Sequence, residues 1–426
     1  MSVTAWNREK RMTSRKPPAG FAPTAVLAVL VTLMVVPSAG AAERREPATE
    51  LLEGSGQCTF PMKKQIKGTP WALQRIVLDQ LWKDTKGLDP EGRPVRVAVI
   101  DTGVDDSNVQ LKAAVDARAG GVYLPGGKDA DATEDQVGHG TKVAGIIAAR
   151  PRPGTGFVGL APQAKIIPLK QNDDRNSGRP EGMAQAIKKA MQEGAKVINI
   201  SQDTVAKRPS AALTAAVEQA LNHDIVVVAA AGNDGADGKS RKTYPAAIPG
   251  VLAVGASDRD NGRASFSQSG DFVGVAAPGV DIVSTVPKGG QCVDNGTSFS
   301  APYVSGVAAL IRAKHPDWKA HQVVAQIEQT AERGVNGRDK FIGWGVVDPV
   351  RALSDDDEPI EQPSAEADQG RSALAPDPFP VADGETPAER KERIATYTLG
   401  AAGVLVAIAV GTAAVLRERA RRRSSR

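Results

Sequence analysis

The chain has 426 residues, 41% of them hydrophobic and 24% charged, which is enough apolar material for one large core and excludes a disordered polymer. The formal net charge is only +4, and no basic stripe with interleaved aromatics runs through the middle, so nucleic-acid binding is not indicated. Basic residues collect at the two ends beside apolar runs, a pattern of membrane topology.

The elements follow in chain order. Arg8, Lys10, Arg11, Arg15 and Lys16 form a basic leader before an apolar run from about Phe21 to Val36. Pro37 breaks that run, and Ala39-Gly40-Ala41 supplies a small-residue cleavage site, so residues 1–41 read as a signal peptide. Residues 42–94 form an N-terminal extension, polar and irregular over 42–70 and with helix-like apolar spacing from Trp71 to Trp82. From Val95 short apolar runs alternate with amphipathic ones. Strands are predicted at Val95–Ile100, Lys165–Leu169, Lys196–Ile200, Ile225–Ala230, Val251–Ala256 and Phe272–Ala276. Helices are predicted at Gly140–Ala149, Glu181–Glu193, Ser210–Asn222, Ser298–Lys314 and Trp318–Glu332. Continuous apolar strands between helices predict an α/β domain over 95–353, a mainly parallel sheet covered on both faces, with its site at the carboxyl ends of the strands. Residues 354–393 are rich in Asp, Glu, Pro and Ala and read as a solvated linker. Ile394–Leu416 carries no charge and is long enough to span a bilayer, and the Arg-rich tail 417–426 keeps that end in the cytoplasm. The expected topology is single-pass, with the α/β domain outside the cell membrane. The two cysteines, Cys58 and Cys292, are an even count in an exported chain and predict one disulfide.

Three segments sit at junctions of this pattern. Asp101 ends the first strand in Val99-Ile100-Asp101-Thr102-Gly103. His139 lies between glycines at a helix start, in Gly138-His139-Gly140-Thr141. Ser298 opens a long apolar helix in Asn295-Gly296-Thr297-Ser298-Phe299-Ser300-Ala301-Pro302, with Ser300 as a competing hydroxyl. A serine hydroxyl needs a base at neutral pH, and a histidine base needs a carboxylate to fix its tautomer. Asp, His and Ser in that order satisfy both needs. There is no H-E-x-x-H and no clustered Cys/His set, so neither a metal nor another cofactor is expected.

These segments resemble the Asp, His and Ser signatures of the subtilisin-like serine proteases, over about Val95 to Leu353. The resemblance implies a subtilisin-like three-layer fold and hydrolysis of peptide bonds through an acyl-enzyme. It also implies that Asn233, in Ala230-Ala231-Gly232-Asn233-Asp234-Gly235, is an oxyanion-hole donor. Where many subtilisins read Ser-Leu-Gly, this chain reads Ser201-Gln202-Asp203, so cleavage specificity does not carry over. Signal peptide, Cys-bearing extension, protease domain, linker, C-terminal helix and basic tail together resemble the mycosins, membrane-anchored proteases of type VII secretion. A second cysteine pair usual in that group is absent. The mycosin resemblance implies exported protein substrates, contact with the bilayer through the C-terminal helix, and association with a type VII secretion membrane complex. A scaffold or cap role in that complex, with proteolysis secondary, and a generic anchored protease are the competing readings. The extension, too short for a folded inhibitory prodomain, is expected to wrap the domain and stay with it, held by Cys58–Cys292.

Overall fold

The computed structural model describes residues 58, 60–62, 65–126, 130–173, 178–202, 210–334, 337–365, 391, 394–398, 410–417 and 421. The expected signal peptide lies outside these residues. Seven strands form a parallel sheet in the order β2-β3-β1-β4-β5-β6-β7. They are β1 (Arg96–Asp101), β2 (Gly121–Val122), β3 (Lys165–Lys170), β4 (Val197–Ile200), β5 (Val226–Ala230), β6 (Leu252–Ser257) and β7 (Val273–Pro278). The period-2 alternation of side chains divides β1 between two cores. Val97 and Val99 pack with one face, while Ala98 and Ile100 pack with the other.

The first face carries α3 (His139–Ala148), α6 (Thr297–Lys314) and α7 (Ala320–Thr330), and the second carries α4 (Pro180–Gln192) and α5 (Ala211–Asn222). Ser210 caps α5, its Oγ accepting from Leu213 N at 3.1 Å. Helix α6 is buried along nearly its whole length, which is why its sequence is apolar all round. The sheet order reverses at β1, whose two neighbours are β3 and β4. Open α/β sheets bind ligands at such a switch point, beyond the carboxyl ends of the strands. Asp101 is the last residue of β1 and sits there.

Several expectations are corrected. The run Trp71–Trp82 is not one helix but two single turns, α1 (Trp71–Gln74) and α2 (Leu78–Leu81), parted by an extended Val77. Tertiary packing overrides the helical spacing here: Trp71 donates to the Val280 carbonyl at 3.0 Å and Trp82 to that of Leu160 at 2.8 Å. An antiparallel hairpin, β8 (Ile282–Thr285) and β9 (Gln291–Asp294), lies just before α6, and a short α8 (Pro349–Ser354), capped by Asp348, follows the last bridges. Neither the hairpin nor α8 is legible from periodicity, because the runs are too short.

The linker also starts later than expected. Residues 354–365 dock along α6 and α7. Asp356 accepts from Lys314 at 2.9 Å and pairs with His315 at 2.6 Å, and Glu361 pairs with His321 at 2.7 Å. Ser364 N donates to Gln329 at 2.6 Å. Among the described residues no helix is long and apolar enough to cross a membrane. Residues 394–398 and 410–417 are helical, and the middle of the expected span, 399–409, lies outside the described residues.

The described residues of the extension run against the domain. Cys58 and Cys292 are disulfide-bonded. Met62 N donates to Gly289 O at 3.1 Å and Ile66 N to the Gln291 side chain at 2.9 Å. Trp71, Leu73, Ile76 and Leu81 join the main core, so this stretch completes the hydrophobic cluster.

Candidate active site

Three segments converge at the carboxyl end of the sheet. Asp101 is fully buried, and its Oδ1 accepts from Thr102 N at 2.8 Å and lies 2.7 Å from His139 Nδ1. That contact fixes the tautomer of the neutral ring: Nδ1 carries the proton, and Nε2 is left unprotonated. His139 is the first residue of α3, and its imidazole keeps about a quarter of its surface exposed, 25%. Burial works to lower the His139 pKa, but the charge and hydrogen bond of Asp101 outweigh it and leave the group above its ordinary value.

The turn before α3 is built to hold this histidine. Gly138 caps the helix at φ +79°, a left-handed conformation, and a Cβ there would also strike the Phe60 ring. At Gly140 a Cβ would lie 2.1 Å from the Gly103 carbonyl oxygen and 3.0 Å from Asp101 Cβ, so the absence of a side chain there lets the Asp and His segments touch. Asp135, a residue the sequence reading passed over, clamps the same turn. Its carboxylate accepts from Gly138 N at 2.7 Å, Thr141 N at 2.9 Å, Thr141 Oγ1 at 2.6 Å and Thr102 Oγ1 at 2.8 Å. Thr102 Oγ1 in turn accepts from Gly140 N at 3.0 Å. Burial raises the Asp135 pKa against the pull of those donors.

Ser298 lies half-buried in the first turn of α6, where backbone N–H groups have no intrahelical acceptor. The helix end favours negative charge developing there. The next residue, Phe299, stacks at a tilt on His139 with ring centroids 5.4 Å apart, which brings the serine segment against the imidazole. No hydrogen bond joins Ser298 Oγ to His139 in this structure; such contacts are often long in free enzymes and tighten on substrate. Ser300, the competing hydroxyl, is buried and committed to the Pro278 carbonyl at 3.2 Å. Asn233 follows β5 and is exposed. Its Oδ1 accepts from Thr297 N at 2.9 Å and from Thr297 Oγ1 at 3.0 Å. With the oxygen end engaged, the Nδ2 end is the one left to donate, and it borders the same space as Ser298 N: a Cβ at Gly296 would lie 3.5 Å from the one and 3.7 Å from the other. Among the described residues no group of three or more His, Cys, Asp or Glu side chains could hold a metal ion.

One buried relay was invisible in the sequence. Pro302 stands four residues after Ser298 and has no N–H, so the Ser298 carbonyl loses its helical donor. Ser201 Oγ donates to it instead at 2.8 Å. Asn199 Nδ2 donates to Ser201 Oγ at 2.8 Å, and Ser305 Oγ donates to Asn199 Oδ1 at 2.9 Å, closing the loop back to α6. Replacing Ser201 with alanine leaves that carbonyl without its donor. The expected result is roughly tenfold slower reaction of Ser298 with a fluorophosphonate, while Ser201→Thr keeps the rate.

Comparison with known proteins agrees with this geometry. Residues 92–345 match the Subtilase family of peptidase S8. The chain is 38% identical over 289 residues to subtilisin Savinase of Lederbergia lenta, covering 67% of this chain and 99% of that one. It is 40% identical over 257 residues to subtilisin E of Bacillus subtilis, a match that spans 60% of this chain and 65% of the relative. Among solved structures, the MycP3 protease of the type VII (ESX-3) secretion system superposes with a TM-score of 0.60 at 35% identity, over 68% of this chain and 91% of that one. MycP1 of Mycobacterium smegmatis gives 0.61 at 30% identity, over 76% and 91%.

Proposed function

This chain belongs to the subtilisin-like family of serine endopeptidases, and from that premise we propose that Ser298, His139 and Asp101 are its nucleophile, base and orienting carboxylate. The observation that carries the reading is the buried Asp101 carboxylate held 2.7 Å from His139 Nδ1, with the Ser298 segment packed on the same imidazole. Ser298 Oγ attacks the scissile carbonyl carbon while His139 Nε2 takes its proton. Negative charge moves to the carbonyl oxygen, where Asn233 Nδ2 and the Ser298 N–H donate to it. The imidazolium, stabilised by Asp101, returns the proton to the departing amine. Water then repeats the sequence on the acyl-enzyme and frees Ser298.

The protease works at the outer face of the cell membrane as a mycosin-type component of a type VII secretion system, acting on exported proteins. Structural likeness to MycP1 and MycP3 supports this. Exposed apolar side chains at Ile394, Tyr397, Val410, Val415 and Leu416 support an anchor in the bilayer over 394–416. The docked extension supports its retention in the working enzyme; isolation of an active natural form lacking residues 42–70 would oppose that. The test is complementation in a strain deleted for the gene. The chain is expected to fractionate with membranes, and removal of residues 394–426 to release it. Ser298→Ala is expected to fail in processing an exported protein. Restored processing by Ser298→Ala would contradict the protease reading. Restored secretion without processing would favour the scaffold role.

A further inference from the structure

Four residues after Asp135 comes the base, and three after that comes a lysine. Lys142 lies one turn along α3 from His139, and its side chain is only 8% exposed. A lysine buried to that degree needs a partner. It has one: Nζ donates to Asp294 Oδ2 at 2.6 Å, across 152 residues of sequence. Asp294 is the last residue of β9, two residues beyond the disulfide-bonded Cys292 and four before Ser298. The ammonium also stands 5.7 Å from the centre of the Phe299 ring, the same ring that meets His139. The hairpin grips α3 at two further points. Ser284 Oγ donates to the Lys142 carbonyl at 2.6 Å, and Thr285 Oγ1 to the Thr141 carbonyl at 2.9 Å.

We propose that Lys142 and Asp294 form a positioning pair that joins the segment of the base to the segment of the nucleophile and sets, by its balance of charge, the pH at which the base becomes active. The inference rests on His139 being the catalytic base. The charged groups facing His139 are Asp101 from β1, Asp135 from the turn before α3 and Lys142 from α3, with Asp294 of β9 beyond the lysine. Lys142 opposes protonation of His139, and Asp101 and Asp135 favour it. Asp294 offsets the lysine. Each half of the pair therefore hides the field of the other from the imidazole.

The sign of each substitution follows. Lys142→Met leaves the Asp294 carboxylate uncompensated, which favours the imidazolium and moves the acid limb of reactivity to higher pH. Asp294→Asn leaves the ammonium uncompensated and moves the limb to lower pH. The size is roughly half a pH unit in each direction, the scale of one partly solvated charge near a titrating group. A lost structural contact lowers the plateau in both variants but does not move the two limbs in opposite directions.

The experiment measures the second-order rate of fluorophosphonate labelling against pH for the full chain in detergent. The wild type, Lys142→Met, Asp294→Asn, the double variant and Lys142→Arg are compared. Opposite shifts in the two single variants, cancellation in the double variant and a wild-type limb in Lys142→Arg support the pair. If Lys142→Met does not fold, a downward shift in Asp294→Asn alone supports it, and an unmoved or upward limb overturns it. Shifts of the same sign, or no shift, in a wild type that labels normally overturn this inference and leave the protease reading standing. A wild type that does not label at all overturns both.

Discussion

Replacement of His139 by alanine is expected to lower kcat/KM on a peptide substrate by roughly 10⁴–10⁶, the range for loss of one member of a serine triad. Without the imidazole nothing accepts the Ser298 proton at neutral pH. Asp101→Asn is expected to cost roughly 10⁴. The asparagine can donate to Nδ1 and thereby present the wrong tautomer, and it no longer stabilises the imidazolium. The two variants separate on pH. In the wild type the base works when neutral, and Asp101 holds the His139 pKa above its ordinary value. Activity must therefore rise with pH through a midpoint above about 6.5. In Asp101→Asn the raising charge is gone while burial still acts, so the residual activity should rise at lower pH than in the wild type. A steady-state pH profile of both proteins checks the plateau and the midpoint together.

The second large effect is expected at Asn233. Asn233→Ala should lower kcat by roughly 10²–10³ with little change in KM, because the oxyanion exists only beyond the ground state. Alanine also strips Thr297 N–H of its acceptor at 2.9 Å and so disturbs the start of α6. Asn233→Asp separates the two contributions. The aspartate keeps an oxygen for Thr297 but offers no N–H to the substrate and brings a negative charge beside the developing oxyanion. It should therefore be at least as slow as the alanine variant while melting at or near the wild-type temperature. A fast Asn233→Asp enzyme would mean that the side chain acts only by holding Thr297.

Much of this is legible in the sequence. Six of the seven sheet strands are buried apolar runs, and their ends fall within two residues of the observed ones, because strands covered on both faces must be apolar throughout. Strand β2, of two residues, is too short to carry a pattern. Asp101, His139 and Ser298 stood out because each occupies a strand end or helix start and the three come in the order Asp, His, Ser, with glycines on both sides of His139. Ser201 and Asn199 gave no such signal. Asn199 sits inside an ordinary strand and Ser201 just after it, and their role arises only because Pro302, a hundred residues on, withholds an N–H from Ser298. Asp135 was hidden for a related reason: an acid four residues before a histidine is common, and only the fold aims four donors at it. The docking of 354–365 was misread because its composition is that of a solvated linker, whereas its histidine and lysine partners lie about 40 residues earlier on α6 and α7.

One hydroxyl among many, that of Ser298, is expected to be activated by one imidazole, that of His139. Intact mass and peptide mapping after fluorophosphonate treatment test it most directly. A single phosphonyl adduct on Ser298, absent from Ser298→Ala and from His139→Ala, is the predicted result. An adduct on Ser300, or labelling that persists in either variant, would contradict the account.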